Sequence, residues 1–94
     1  YQILKSIEFI AWFEQQSPKT REIINARLDR IQNDGYFGLI HRFDGLVELR
    51  WASGIRVYTF IHEKIIVIVL LGGNKNGQNK DIQKAKKIRQ SIFH

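Results

Sequence analysis

The strongest constraint on the fold is an apolar run at residues 65–71, in which no polar side chain interrupts seven consecutive positions. A strand buried on both faces has such a run, whereas a strand with one solvated face alternates apolar and polar residues. The run is far shorter than the roughly 18–20 apolar residues that a membrane-spanning helix needs. The sequence therefore predicts a strand at the centre of a sheet.

Other segments complete an α+β fold. Three more runs are typical of strands, at residues 39–43, 47–51 and 55–61, and turn residues separate them. A short opening strand at residues 1–6 is expected to pair in parallel with the free side of the central strand, after a helical crossover. The predicted sheet is therefore small, mixed and mostly antiparallel.

Three helices are predicted around this sheet. Phe9, Ile10, Trp12 and Phe13 form the apolar side of a first helix that ends near Gln16. Ser17-Pro18 is typical of a helix start, and Gly35 of the end of that second helix. The two helices form a hairpin that packs on one face of the sheet. A final helix is expected to begin near Asp81, with an apolar stripe at Ile82, Ala85, Ile88 and Ile92.

Composition limits the class of protein. A chain of 94 residues with 44% apolar content predicts one globular domain over residues 1–94. The sequence has no Cys, which excludes disulfides, thiol catalysis and Cys-based zinc sites. His41, His62 and His94 do not have metal-ligand spacing, so neither a metal nor another cofactor is expected. No leader pattern is present, and we expect a cytoplasmic protein without membrane contact.

The positive charge is concentrated at the carboxyl end. Residues 1–73 carry nine basic and eight acidic side chains, whereas residues 74–94 carry six basic side chains against Asp81 alone. Such asymmetry is typical of proteins that bind a polyanion or an acidic partner. A solvated, solubilising surface is the alternative.

The register of two strands predicts a pair of arginines. If the apolar residues of runs 47–51 and 55–61 share one core, Leu49 lies opposite Val57, and a three-residue loop ending in Gly54 connects the strands. Arg50 then lies opposite Arg56 on the other face of the sheet, which we expect to be exposed.

These arginines suggest a phosphate site. Guanidinium groups bind phosphate through paired N–H donors, and Tyr58 and Phe60 on the same face are candidates for stacking on bases. Two solvated arginines are the alternative. Lys75 is either a loop lysine or a third cation over this face, and Gln78 and Lys80 are further substrate-binding candidates. The segment 72–81 lacks the Lys-Ser/Thr pair of a nucleotide-binding P-loop.

Several motifs together resemble the RelE/HigB-like toxins, and in particular their phage-derived branch of addiction module killer proteins. The resemblance covers nearly the whole chain. It is carried by residues 48–50, 54–58 and 71–75 together with Gln78, Asp81, Ile82 and Ala85.

The resemblance implies a RelE-like fold and the toxin of a type II toxin–antitoxin pair. Such toxins typically cleave mRNA on the ribosome without a metal, which inhibits translation, and a helix-turn-helix antitoxin neutralises them. By position, Arg50 and Arg56 match basic residues of the sheet in these toxins, and Lys75 matches the lysine after the last strand, so the resemblance implies a catalytic role for all three. These cations would stabilise the charge that develops when a ribose 2′-hydroxyl attacks the adjacent phosphate.

The resemblance does not identify the residue that would transfer the proton in this reaction. The end of the chain offers few candidates, because no Tyr follows Tyr58 and His94 is the only His beyond His62. Two alternatives to an mRNA endoribonuclease stay open. One is a toxin that binds DNA gyrase, as the related ParE-type proteins do, and the other is an RNA-binding module without catalysis.

Overall fold

The computed structural model describes residues 1–92, so His94 lies outside the described residues. Five strands, three α-helices and one short 3₁₀ helix follow each other along the chain. Their order is β1 (Gln2–Lys5), α1 (Ile7–Glu14), α2 (Pro18–Asp34), β2 (Ile40–Phe43), β3 (Leu46–Arg50), β4 (Ile55–His62), β5 (Ile66–Asn74), the 3₁₀ helix (Lys75–Gly77) and α3 (Gln78–Ile92).

The strands form one sheet in the order β1-β5-β4-β3-β2. β1 pairs in parallel with β5, and the other three pairs are antiparallel. The apolar run thus lies in an interior strand with a neighbour on each side, as predicted. The predicted fold class is confirmed, including the helical hairpin and the carboxyl-terminal helix.

Each face of the sheet has its own core. On one face, the α1–α2 hairpin buries Phe9, Ile24 and Leu28 against Leu49 and Val57. On the other face, α3 covers a second set of buried side chains. This set contains Leu46, Tyr58, Phe60, Ile68, Leu70, Leu71, Ala85 and Ile88.

A β-bulge in β5 changes which residues face α3. Tyr58 pairs with Leu71, but the next residue, Thr59, pairs with Val69, so Leu70 is the extra residue. Val69 belongs to the hairpin core, whereas Leu70 and Leu71 both belong to the α3 core. The bulge thereby reverses the alternation of faces for the last residues of the strand.

The carboxyl-terminal helix begins earlier than predicted, at Gln78 rather than near Asp81. Strand β5 also continues to Asn74, where a polar loop was expected. The Asn74 side-chain oxygen accepts hydrogen bonds from the backbone N–H groups of Asn76 (2.9 Å) and Gly77 (3.3 Å). This Asn cap connects strand to helix directly, a local interaction that the apolar periodicity does not record.

Within residues 1–92, no helix is long and apolar enough to cross a membrane. The same part of the chain has no group of three or more His, Asp or Glu side chains arranged to hold a metal ion.

We expect Gly72→Ala to lower the free energy of unfolding by about 1–3 kcal/mol, the usual cost of overpacking a core. Gly72 follows the bulge and faces α1, and a Cβ there would lie 2.1 Å from the Trp12 ring. Urea denaturation measures the change, with Ser53→Ala in the exposed β3–β4 loop as the control. Equal stability of the two variants would contradict the close packing of β5 on α1.

Candidate functional site

Three residues on neighbouring strands form a row across the face that α3 covers. Arg50 of β3 lies opposite Arg56 of β4, and Arg56 lies opposite Gly73 of β5. The predicted register of the two arginines is confirmed, and Gly54 has the positive φ, +103°, that the loop between them requires. Gly73 joins the row because of the bulge.

Arg50 is bound to a buried carboxylate. Its Nε donates to Oε1 of Glu48, a residue that is 0% exposed. The other carboxylate oxygen accepts a 2.6 Å hydrogen bond from the Gln78 side chain in the first turn of α3. Nη2 of Arg50 lies 3.0 Å from Nδ1 of His41. Glu48 therefore links β3, the arginine and the carboxyl-terminal helix.

Arg56 is fixed by backbone carbonyl groups. Its Nη1 donates to the carbonyl oxygens of Trp51 (3.1 Å) and Ile55 (3.0 Å). Its Nε is buried and has no hydrogen-bond partner within residues 1–92. In the described part of the chain, Nη2 of Arg56 and Nη1 of Arg50 make no hydrogen bond. Both guanidinium groups thus keep unused donors at the same end of the sheet.

A second carboxylate, from α3, fills the end of the row. A Cβ on Gly73 would lie 2.1 Å from Oδ2 of Asp81, so the carboxylate occupies the space that a side chain would otherwise take. Asp81 is half-buried, and burial raises its pKa although Lys84 and Lys80 act in the opposite direction. Two carboxylates therefore accompany the two arginines at this end of the sheet.

The Tyr58 hydroxyl lies beneath this row without a hydrogen-bond partner among the described residues. Tyr58 pairs with Glu48 across the strands. Burial, followed by the negative charges of Glu48 and Asp81, raises the pKa of this phenol well above its usual range, and Arg56 partly opposes the shift. The phenol is therefore neutral over the whole physiological pH range.

Lys75 lies beside the β3–β4 loop. Its backbone N–H donates to the carbonyl oxygen of Gly54 (2.8 Å), and its aliphatic carbons lie 3.6–3.8 Å from the position of a Cβ on that glycine. The side chain is exposed. The structure thus brings the third predicted cation to the same end of the sheet as the two arginines.

The prediction of an exposed sheet face was wrong. Tyr58 and Phe60 are 0% and 3% exposed, because α3 packs over them, and they offer no surface to a base in this structure. Gln78 contacts the site through Glu48, whereas Lys80 is exposed on α3 and has no hydrogen bond or ion pair within residues 1–92. The sequence does not say which face an amphipathic terminal helix will cover.

Sequence reasoning did not foresee that Glu48 is buried and links Arg50 to α3, or that Asp81 lies over Gly73. Glu48 was expected on an exposed face, and Asp81 only at a helix start. One signal was present, since a carboxylate two residues before Arg50 in a strand shares its face. The position of Asp81 depends on the bulge, which leaves no recognisable pattern in an uninterrupted apolar run.

Comparison with solved structures defines the class of fold. The chain matches a double arginine mutant of the Escherichia coli toxin RelE in the free state with a TM-score of 0.71 at 16% identity, covering 94% of this chain and 97% of that chain. It matches the intact E. coli RelBE toxin–antitoxin complex with a TM-score of 0.64 at 17% identity, covering 79% and 95%. At these identities the likeness shows the fold, which is that of RelE.

The family follows from the sequence itself. The model of the family described as "Phage derived protein Gp49-like (DUF891)" matches residues 11–92, and the chain belongs to this family. It is also 34% identical over 94 residues to an uncharacterized protein of Haemophilus influenzae, covering 97% of this chain and 95% of that protein. The resemblance to the phage-derived branch of RelE-like proteins is thereby confirmed.

We expect Glu48→Gln to lower the free energy of unfolding by about 1–3 kcal/mol, because a buried hydrogen-bonding group loses its partner. The amide of the new side chain would place N–H donors against a donor of Arg50 or Gln78. Denaturant unfolding measures the loss, and the matched control is Glu22→Gln on the exposed surface of α2. A loss no larger than that of the control would show that the Glu48 network does not stabilise the fold.

The Tyr58 phenol should resist ionisation. Subtracting the alkaline absorbance titration of Tyr58→Phe from that of the unmodified protein isolates this group. We expect the difference to stay flat past about pH 10, the ordinary phenol pKa. Because the folded state holds this proton more tightly than the unfolded chain, the group's contribution to stability falls as pH rises above that value. A step near pH 10 would contradict the buried environment.

Proposed function

We propose that this protein is the toxin of a type II toxin–antitoxin pair and that it cleaves mRNA on the ribosome. The observation that carries the proposal is the pair of opposed arginines, each with unused N–H donors, at the end of the sheet beside Lys75. Membership of the Gp49-like family and the RelE fold support it. Of the substrate-binding candidates, Gln78 binds Glu48 and Lys80 is exposed on α3.

The chemistry follows from the fixed donors. The negative charge on a phosphodiester increases as a 2′-hydroxyl attacks it, and preorganised cations stabilise that charge without reorganising. Backbone carbonyls hold Arg56, and Glu48 holds Arg50, so both are positioned before RNA binds. The reaction as proposed needs no metal or other cofactor.

The partners follow from the charge. Lys86 pairs with Asp44 (2.6 Å), and Arg89 donates to the Gly45 carbonyl oxygen (3.2 Å), so these two cations bind α3 to the β2–β3 turn. Lys80, Lys84 and Lys87 lie on one side of α3 and are exposed. We propose that these lysines contact RNA phosphates in the cytoplasm. We also propose that a helix-turn-helix antitoxin is the second partner, and the matched E. coli structure, which is a complex of a toxin with its antitoxin, supports an antitoxin partner.

The test is cleavage of an mRNA on purified ribosomes. We expect cleavage by the unmodified protein and a loss of roughly 10²–10³-fold for Arg56→Ala, the usual effect of removing one transition-state donor. Arg56→Lys should also be impaired, because it keeps the charge but loses the planar fork. Arg42→Ala is the control, since Arg42 is exposed and lies next to His41 on the opposite face of the sheet.

An intact transcript in cells that nevertheless stop growing would refute the nuclease proposal. A supercoiling assay with purified gyrase then distinguishes a gyrase-binding toxin from an RNA-binding module. The RNA-binding module predicts an affinity that falls steeply with salt concentration.

A further inference from the structure

The proposed reaction needs a group that accepts the proton of the 2′-hydroxyl, and the site contains three groups of suitable chemistry. Two are already occupied. Glu48 is fully buried, and its two oxygens accept from Arg50 and Gln78. Nδ1 of His41 lies 3.0 Å from Nη2 of Arg50 and 3.9 Å from Oε1 of Glu48, so His41 takes part in the same contact. Both groups are therefore engaged in the contacts that fix Arg50.

Asp81 differs from Glu48 and His41 because its carboxylate is not engaged in such contacts. Its carboxylate makes no hydrogen bond or ion pair with any of residues 1–92, and it is half-buried rather than sealed. Its Oδ2 lies over Gly73, in line with Arg56 and Arg50, on the face where their side chains lie. Neighbouring strands are about 4.8 Å apart, so the backbone that the carboxylate covers at Gly73 is one strand spacing from the backbone of Arg56.

We propose, on the basis of the nuclease function proposed above, that Asp81 is the general base of this site. A phosphodiester held by the unused donors of Arg50 and Arg56 would have its ribose beside Gly73. Only glycine at this position leaves room for the Asp81 carboxylate. The attacking 2′-oxygen and the phosphorus must lie roughly 3–3.5 Å apart. This distance is shorter than one strand spacing, so both atoms fit between the Arg56 and Gly73 positions of the row.

The proposed step conserves atoms and charge. The 2′-oxygen gives its proton to Asp81 and forms a bond to phosphorus, while the bond from phosphorus to the 5′-oxygen breaks and its electron pair leaves with that oxygen. Water protonates the 5′-oxygen, and the resulting hydroxide takes the proton from Asp81. The products are a 2′,3′-cyclic phosphate and a free 5′-hydroxyl, with no net uptake or release of protons.

The surroundings of Asp81 suit this role. Lys84 and Lys80 on its own helix and the Tyr58 phenol on β4 interact electrostatically with Asp81, and Glu48 and Arg56 interact with the same phenol. Burial is the dominant influence and raises the pKa of the carboxyl. A base is most effective when its pKa lies close to the working pH, so a raised carboxyl pKa favours proton transfer.

The first experiment compares Asp81→Asn with Asp29→Asn, an exposed carboxylate on α2. Single-turnover cleavage on ribosomes should fall by roughly 10²–10⁴-fold in Asp81→Asn, the usual contribution of a general base, and stay unchanged in Asp29→Asn. The rise of the wild-type rate with pH on the acidic side should disappear in Asp81→Asn. Because burial disfavours the charged carboxylate, Asp81→Asn should melt at the same temperature as the wild type or higher.

A double-mutant cycle tests the position of the carboxylate. Gly73→Ala leaves Asp81 in the chain but displaces its carboxylate, so it should also slow cleavage. If both changes act through the same carboxylate, the double variant should be no slower than Asp81→Asn. Additive losses would overturn the proposed arrangement.

The outcomes separate the two proposals. Wild-type protein that leaves the mRNA intact overturns the nuclease function and the role of Asp81 together. Wild-type cleavage with equal rates for Asp81→Asn and Asp29→Asn overturns the role of Asp81 alone. A substrate with sulfur in place of the scissile 5′-oxygen needs no protonation of the leaving group, and the Asp81→Asn defect should persist on it. Full rescue by this substrate would show that Asp81 is instead the acid, which overturns its assignment as the base.

Discussion

The arrangement of the site depends on the single extra residue in strand β5. The bulge at Leu70 turns two successive leucines towards α3 and shifts every later residue to the opposite face. Gly72 then lies under Trp12, and Gly73 lies in line with Arg56 and Arg50. Without this shift, Gly73 would face the helical hairpin, and Asp81 would have no open backbone to lie on. One irregular residue thereby connects the packing of both cores to the geometry of the site.

Two carboxylates accompany the two guanidinium groups at this end of the sheet. Glu48 binds Arg50, and the Asp81 carboxylate lies over Gly73, on the strand next to that of Arg56. The buried Glu48 carboxylate fixes Arg50 and backbone carbonyls fix Arg56, which reduces the entropy that these side chains would lose on binding a ligand. The large positive charge of the chain lies elsewhere, on the solvent side of α3. The arginines with fixed side chains and the exposed lysines of α3 are thus two separate groups of residues.

α3 has three separate attachments to the sheet. Gln78 binds Glu48 at its first turn, Ala85 and Ile88 pack in the second core, and Arg89 lies 4.7 Å above the Phe60 ring. A helix with many lysines would pack weakly on the sheet by itself. The apolar stripe of α3 and these polar contacts hold it on the sheet along its whole length. The same contacts bury Tyr58 and Phe60 in the core under α3.

The sequence by itself determined the sheet and its central register. An uninterrupted apolar run must be buried on both faces, and alternating apolar residues in β3 and β4 must share one core, so Arg50 had to lie opposite Arg56. These are local, periodic constraints that act between neighbouring residues. Only the tertiary structure decided that α3 covers this face, that Glu48 is buried and that Asp81 lies over Gly73. Those contacts join residues such as Glu48 and Gln78 that are far apart in the chain. They also depend on a bulge that apolar periodicity cannot reveal, because residues 65–71 are all apolar, whichever face of the sheet each one takes.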